Sequence, residues 1–125
     1  LEQGFARYQG RRYCLACTSG GYALHIALRA MGLKAGEAVL TNAYTLAPVP
    51  GAIHAAGGKP VLVEIDESYH LDLDDLALKA KASGAKILLL SLMRGHIPNM
   101  DRLMALCNEL GLQVLEDCAH TMGGA

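Results

Sequence analysis

Two acidic residues follow an apolar run near the end of the sequence. Residues 112–115 lead into Glu116 and Asp117, and His120 stands three positions beyond Asp117. A carboxylate at the end of a buried strand is costly to desolvate unless a cationic group meets it. Asp117 at such a position can pair with a protonated ring nitrogen of a bound cofactor, which His120 could also face. The alternative is a solvated acidic loop, and Glu116, which alternates away from Asp117, is predicted to be structural.

A second candidate site lies near the start of the chain. Ser19, Gly20 and Gly21 separate an apolar run from a helical pattern that begins at Tyr22. Free backbone N–H groups at a helix start, together with the helix dipole and a hydroxyl, form an anion site that most often binds phosphate. The alternative is an ordinary turn capped by Ser19. The sequence contains neither GxGxxG nor GxxxxGKS/T, so the dinucleotide and P-loop fingerprints are both absent.

The cysteines do not indicate a metal site. Cys14 and Cys17 have a metal-like spacing, but residues three apart on a strand point to opposite faces and cannot chelate one ion. Cys118 and His120 have no second pair at a suitable spacing. The four cysteines lie in apolar segments, which fits reduced thiols in the cytoplasm better than a disulfide framework. We therefore expect no metal ion and a cytoplasmic protein.

The elements that must position these residues alternate along the chain. Apolar runs predict strands at 13–18, 38–41, 60–65, 86–90 and 112–115. Helices are predicted at 22–31, 48–56, 73–82 and 100–110, the last two with Asp72 and Asn99 as N-caps. Continuous apolar strands separated by helices indicate a mainly parallel sheet between two helical layers, a three-layer α/β/α fold. Such sheets bind ligands beyond the carboxyl ends of their strands, so Ser19, Tyr44 and Asp117 are expected at one edge.

Composition narrows the possible classes of protein. The 125 residues are 52% hydrophobic and have a net charge of -1, with 11 basic and 12 acidic residues spread along the chain. No basic patch favours nucleic acid, and no apolar run is long enough to span a membrane. The length fits one domain or part of a larger one. We therefore expect small-molecule partners, with no nucleic acid and no membrane.

The whole chain resembles the DegT/StrS-type family of pyridoxal-phosphate-dependent sugar aminotransferases, which have the fold-type-I aspartate-aminotransferase fold. The segments that carry the resemblance are 18–20, 23–28, 42–45, 57–66, Gly95, Met100, Asp101 and 116–120. The resemblance implies that Asp117 pairs with the pyridine nitrogen and that His120 lies near the hydroxyl of the cofactor ring. It also implies that Ser19, Gly20 and Gly21 hold the phosphate.

Three positions depart from the pattern of this family. Gly21 stands where the family usually has threonine, so one hydroxyl contact to the phosphate is missing. Leu46 stands where the family usually has an aromatic residue that stacks on the pyridine ring, and we expect Tyr44 to contact the cofactor. Leu92 stands where many members have histidine. These departures bear on the sugar substrate more than on the cofactor.

The Schiff-base lysine of the family is expected to lie outside this chain. The five lysines are Lys34, Lys59, Lys79, Lys81 and Lys86. The first, second and last are predicted at the wrong edge of the sheet, and the other two on a charged helix, so none suits that role. Residues 1–125 are therefore expected to be part of the cofactor-binding large domain, truncated at both ends, without the C-terminal small domain and inactive alone.

The resemblance also implies a function for the full-length protein. It would transfer an amino group from glutamate to a keto group of a nucleotide-linked sugar or related compound, as a cytoplasmic homodimer. Three alternatives stay open: another fold-type-I pyridoxal-phosphate enzyme such as a lyase or desulfurase, a non-catalytic homologue with a regulatory or ligand-binding role, and an unrelated doubly wound binding domain. A suitable lysine later in the full-length sequence would separate an enzyme from a non-catalytic homologue.

Overall fold

The computed structural model describes residues 1–123. Within them the strands are β1 (Ala38–Asn42), β2 (Lys59–Val63), β3 (Ile87–Ser91) and β4 (Gln113–Asp117). The helices are α1 (Glu2–Tyr8), α2 (Gly20–Ala30), α3 (Pro48–Ala55), α4 (Leu73–Ser83) and α5 (Met100–Leu110), with a short 3-10 turn at Met93–Gly95. The strands form one parallel sheet in the order β2–β1–β3–β4. None of these helices is long and apolar enough to cross a membrane.

Capping residues explain where two of the helices begin. The Asp72 carboxylate accepts hydrogen bonds from the N–H groups of Asp74 and Asp75, at 2.9 and 3.1 Å. Asn99 Oδ1 accepts a hydrogen bond from the N–H of Arg102 at 3.1 Å. Such caps satisfy N–H groups that have no partner inside the helix, and each is worth about 1 kcal/mol. Both predicted N-caps are confirmed.

Apolar side chains alternate between the two faces of the sheet. On β3, Ile87 and Leu89 pack toward α2 and α3, whereas Leu88 and Leu90 pack toward α4 and α5. All five residues of β3 are buried because helices cover the strand from both sides. Each fully buried leucine or isoleucine contributes about 1.5–3 kcal/mol. The predicted three-layer α/β/α arrangement around a parallel sheet is confirmed.

The strand order creates a crevice at one edge of the sheet. The chain passes from β1 through α3 to β2, and then returns through α4 to β3 on the other side of β1. Because such crossovers are right-handed, connections that run in opposite directions place α3 and α4 on opposite faces. The loops that follow β1 and β3 therefore diverge at the carboxyl edge, which is where open parallel sheets bind ligands.

The predicted strand at 13–18 is wrong. The segment is irregular, and Tyr13 and Leu15 are 77% and 68% exposed. A strand needs a neighbouring strand for its hydrogen bonds, and a cleft of about 550 Å³ lies between Tyr13 and β4. The N–H of Ala16 instead donates to Glu2 Oε1 at 2.7 Å, which ties the segment to α1. An apolar run alone therefore does not predict strand pairing.

Candidate active site

A pocket of about 200 Å³ opens at the carboxyl edge of the sheet. Its walls come from the start of α2, the first turn of α3, and the loops that follow β1, β3 and β4. The polar side chains in the wall are those of Thr45, Ser91, Asp117 and His120. The apolar part of the wall includes Leu24, Leu46, Val49 and Leu92. The pocket therefore combines a small polar set with an apolar surround, as small-molecule sites do.

Asp117 is the last residue of β4 and lies beside Ser91, its register partner at the end of β3. Asp117 Oδ2 lies 3.3 Å from Ser91 Oγ, and Oδ1 accepts a hydrogen bond from the N–H of Ala119 at 3.2 Å. The side chain is half-buried and forms part of the pocket wall. The carboxylate is thus held by two donors while it faces the pocket, where it can pair with a cationic group.

His120 is held by the turn that follows β3. The backbone N–H of Arg94 donates to His120 Nδ1 at 3.0 Å. Arg94 and Gly95 have φ angles of 53° and 81°, so the turn uses left-handed backbone at two successive residues. Because Nδ1 is the acceptor of this bond, the proton of a neutral His120 ring lies on Nε2. The second ring nitrogen of His120 is therefore a hydrogen-bond donor.

The start of α2 supplies backbone donors to the pocket. Ser19 accepts two hydrogen bonds, through Oγ from the N–H of Tyr22 at 3.2 Å and through its carbonyl from the N–H of Ala23 at 2.9 Å. The N–H groups of Gly20 and Gly21 precede these and have no acceptor within the helix. Both glycines line the pocket. The positive end of the helix dipole and two N–H donors therefore favour an anion on this side.

Four of the predicted site residues come together in the pocket wall. They are Gly20, Gly21, Asp117 and His120. Ser19 caps α2 and lines the neighbouring groove between α2 and α3. Tyr44 follows β1, but its ring lies 5.3 Å from that of Tyr69 and outside the pocket wall formed by residues 1–123. The predicted contact between Tyr44 and the cofactor therefore stays a prediction.

Two hydroxyl residues in the wall lie outside the predicted set. Thr45 Oγ1 lies 2.8 Å from Ser91 Oγ, and Ser91 Oγ in turn contacts Asp117. Each hydroxyl stands at or just after the end of an apolar strand, the position at which ligand-binding residues are expected in such a sheet. The contact itself depends on which strand ends are neighbours, and the sequence near Ser91 does not contain that information.

The lysines lie away from the pocket. Lys59 and Lys86 line a cleft at the amino edge of the sheet, and Lys34 lines a second cleft there. Lys79 Nζ forms an ion pair with Asp75 Oδ2 at 2.8 Å on α4. Within the described residues no lysine forms part of the pocket wall. The lysines therefore lie where the sequence predicts them, either at the amino edge of the sheet, away from the pocket, or on α4.

Two of the four cysteines occupy surroundings that differ from the expectation. Cys14 and Cys17 lie in the irregular segment before α2, so the argument from opposite faces of a strand does not apply to them. All four cysteines are free. In the part of the chain that the structure describes, no group of three His, Cys, Asp or Glu side chains could hold a metal ion.

Comparison with known proteins identifies one family. The model of the DegT/DnrJ/EryC1/StrS aminotransferase family matches residues 1–125. A "pleiotropic regulatory protein" of Geobacillus stearothermophilus is 33% identical over 98% of this chain and 33% of its own length. The UDP-2-acetamido-2-deoxy-3-oxo-D-glucuronate aminotransferase of Pseudomonas aeruginosa is 32% identical over 100% of this chain and 35% of its own length. The chain spans about a third of the length of these relatives.

Solved structures share the fold. The crystal structure of 3-amino-5-hydroxybenzoic acid synthase matches with a TM-score of 0.90 at 32% identity, covering 98% of this chain and 32% of that one. NtdA from Bacillus subtilis, solved with bound cofactor PMP, matches with a TM-score of 0.88 at 28% identity, covering 98% of this chain and 28% of that one. The predicted fold-type-I aminotransferase fold is confirmed by these likenesses.

Proposed function

This chain belongs to the DegT/DnrJ/EryC1/StrS aminotransferase family, and we propose that it forms the cofactor site of a pyridoxal-phosphate-dependent aminotransferase. Residues 1–125 would be the central portion of the large domain of a longer protein, since they span about a third of the length of their relatives. The observation that carries the proposal is that one pocket joins two free helix N–H groups to a carboxylate. These groups complement a ligand that has an anionic group and a cationic ring nitrogen.

The residues present fit pyridoxal phosphate. A Cβ added at Gly20 would meet nothing within 4 Å, so the backbone of Gly20 is open to the approach of a phosphate. Those N–H groups would bind the phosphate with the help of the helix dipole. Asp117 would accept a hydrogen bond from the ring N–H and hold that proton on the nitrogen, and His120 Nε2–H would donate to the ring hydroxyl oxygen. When bound, the cofactor supplies the electron sink that amino-group transfer requires.

The apolar wall would strengthen these polar contacts. Leu24 and Leu92 are only 7% and 4% exposed and line the pocket beside Asp117. Apolar side chains in this position would pack against the cofactor and exclude water from it. Because a charge pair is stronger in a medium of low dielectric constant, the contact between Asp117 and the ring nitrogen gains from that exclusion.

The proposed substrate is a keto group on a nucleotide-linked sugar or a related compound, with glutamate as the amino donor. One relative is named for a UDP-linked 3-oxo sugar, which supports the nucleotide-linked substrate. Another match is named as a 3-amino-5-hydroxybenzoic acid synthase, which is the reason for including related compounds. By family resemblance, the full-length protein is proposed to be a cytoplasmic homodimer.

A non-catalytic, regulatory homologue is the second candidate. It is favoured by one observation, that the Geobacillus relative is named as a regulatory protein. Both candidates would hold the cofactor through the same residues, so cofactor binding alone does not separate them. Amino-group transfer by the full-length protein separates them directly.

The proposed function is tested by replacing Asp117 with asparagine in the full-length protein. The variant should fold normally, but the neutral amide cannot hold the ring nitrogen protonated. We expect kcat to fall by at least about 100-fold, the scale of losing a preorganised electrostatic contact, with a smaller change in KM. Glu109→Gln, at an exposed position on α5, is the matched control and should keep full turnover. Unchanged turnover in Asp117→Asn would show that Asp117 is not the partner of the ring nitrogen.

A second experiment uses residues 1–125 alone. We expect this chain to show no transaminase activity, and its contact with pyridoxal phosphate to be entirely non-covalent. The purified chain is mixed with the cofactor, reduced with borohydride and examined by mass spectrometry. Stoichiometric labelling of one lysine, together with amino transfer to a keto acid, would contradict the proposal that the reactive lysine lies elsewhere in the full-length protein.

A further inference from the structure

We infer that Ser91 is a positioning residue for Asp117 and that Thr45 fixes the direction in which the Ser91 hydroxyl donates; the inference rests on the proposed function. Thr45 Oγ1, Ser91 Oγ and Asp117 Oδ2 form a chain with separations of 2.8 and 3.3 Å. Ser91 is 4% exposed, so its hydroxyl depends on protein partners rather than on bulk water.

The direction of these two hydrogen bonds follows from the number of protons available on the three side chains. An ionised Asp117 can only accept hydrogen bonds, so the single proton of Ser91 Oγ points to Asp117 Oδ2. The oxygen of Ser91 must then act as the acceptor toward Thr45, and the Thr45 hydroxyl is the donor. The three groups therefore have one mutually consistent arrangement, in which every donor points toward the carboxylate.

The sheet holds Ser91 in place from the other side. Its backbone N–H donates to Asn42 Oδ1 at 2.9 Å in the buried space between the ends of β1 and β3. Its Cα is paired with that of Asp117 in the parallel register of β3 and β4. The hydroxyl of Ser91 is thus attached to the rigid end of a central strand, and it presents its proton to a neighbour on the next strand.

The consequence concerns the plane of the Asp117 carboxylate. One oxygen is held by Ser91 Oγ, and the other accepts the N–H of Ala119. Rotation of the carboxylate about its bond to Cβ would break both contacts. Because each carboxylate oxygen has two acceptor sites, a ring N–H can still bind an oxygen that is already held. Ser91 therefore sets the angle at which Asp117 meets the ring nitrogen.

The test uses pyridoxamine 5′-phosphate labelled with ¹⁵N at the ring, bound to the full-length protein. The ring ¹⁵N chemical shift reports whether the ring nitrogen stays protonated, and a purely structural residue would not move it. We expect Ser91→Ala to shift this resonance toward the unprotonated form and to raise the dissociation constant about tenfold, because a carboxylate of Asp117 that is free to rotate makes a poorer charged hydrogen bond to the ring nitrogen. Ser68→Ala, in an exposed turn, is the control and should match the wild type.

Thr45→Val completes a double-mutant cycle. It should shift the resonance in the same direction when Ser91 is present, and should have no further effect in the Ser91→Ala background, because Thr45 acts through Ser91. If the circular dichroism spectrum shows that Ser91→Ala does not fold, the Thr45→Val variant alone tests the inference. A ring ¹⁵N shift and a ligand affinity equal to those of the wild type in Thr45→Val would then overturn it. Wild-type values in a folded Ser91→Ala variant also overturn it.

The proposed function fails in a distinguishable way. If the wild-type protein does not bind pyridoxamine phosphate, or if Asp117→Asn leaves the ring ¹⁵N resonance unchanged, the cofactor assignment itself is wrong. If both of those controls behave as proposed and the Ser91 and Thr45 variants match the wild type, only the positioning role is lost.

Discussion

Replacing Gly21 with threonine is expected to tighten the binding of a phosphorylated ligand about tenfold. Gly21 is the second residue of α2, and a Cβ at this position would meet only Pro48 Cβ, at 3.7 Å. That distance is an ordinary van der Waals contact, so the Cβ of a threonine fits here without strain. The threonine hydroxyl would stand beside the free N–H groups at the start of α2, where the pocket favours an anion.

The expected gain in binding free energy follows from two opposing contributions. A hydrogen bond to a charged group contributes about 1.5–3 kcal/mol, and fixing the threonine side chain costs about 0.5–1 kcal/mol of rotamer entropy. The difference is about 0.5–2.5 kcal/mol, and its midpoint of about 1.5 kcal/mol corresponds to a factor of about ten in the dissociation constant. The same substitution would restore the residue that the family pattern has at this position.

Calorimetric titration with two ligands isolates the phosphate contact. Pyridoxamine phosphate should bind the Gly21→Thr variant of the full-length protein about tenfold more tightly than it binds the wild type, whereas pyridoxamine, which has no phosphate, should bind both equally. Gly4→Thr on α1, where an added Cβ also meets nothing within 4 Å, controls for the effect of threonine on a helix. Equal gains for the two ligands, or no gain for the phosphorylated one, would refute the placement of the phosphate at the start of α2.

Three further predictions concern stability and protonation. The N–H of Glu64 and the ammonium of Lys79 lower the pKa of Asp75 from its usual 3.8. Asp75→Asn should therefore destabilise the fold at pH 7. In urea titrations, the difference in unfolding free energy between the variant and the wild type should vanish as the pH falls through that lowered pKa. The hydroxyl of Thr41 is fully buried and has no partner within residues 1–123, so Thr41→Val should raise the free energy of unfolding by about 1 kcal/mol; an unchanged urea midpoint would contradict this. Long-range ¹H–¹⁵N correlation spectra should find the proton of neutral His120 on Nε2, and a proton on Nδ1 would rule out the bond from the turn after β3.

The central strand could be predicted from the sequence, whereas the segment before α2 could not. Residues 87–90 are all apolar, and a strand that is buried on both faces needs no alternation of polar and apolar residues. Residues 13–17 are nearly as apolar, but a strand also needs a partner, and β4 lies across a cleft from them. The side chain of Glu2 takes one of the hydrogen bonds that a partner strand would have taken. The local pattern of polar and apolar residues does not predict which distant segments pair as strands.

In the candidate site, too, some features could be predicted from the local sequence and others depend on long-range pairing. Asp117 could be predicted because a carboxylate at the end of an apolar strand needs a partner. Its contact with Ser91 could not, because it requires the two residues to be register partners on adjacent strands. The neighbouring positions of β1 and β3 result from one crossover, from β2 to β3, that passes over β1, and no short stretch of the chain encodes it. Tyr44 was expected in the pocket from its place after β1, yet its ring pairs with Tyr69 from the loop after β2.

The position of β3 has a consequence for hydrogen exchange. This strand is buried along its whole length and is paired on both sides, whereas β2 and β4 each have one neighbour among the described strands. Its amide protons should exchange with deuterium only through global unfolding, while those of β2 and β4 exchange through smaller openings of the native state. The turn that holds His120 follows Ser91, the last residue of β3, and Ser91 itself contacts Asp117. Fluctuations that release β4 therefore leave this turn in place. When β4 pairs with β3 again, the pocket can re-form without refolding of the sheet.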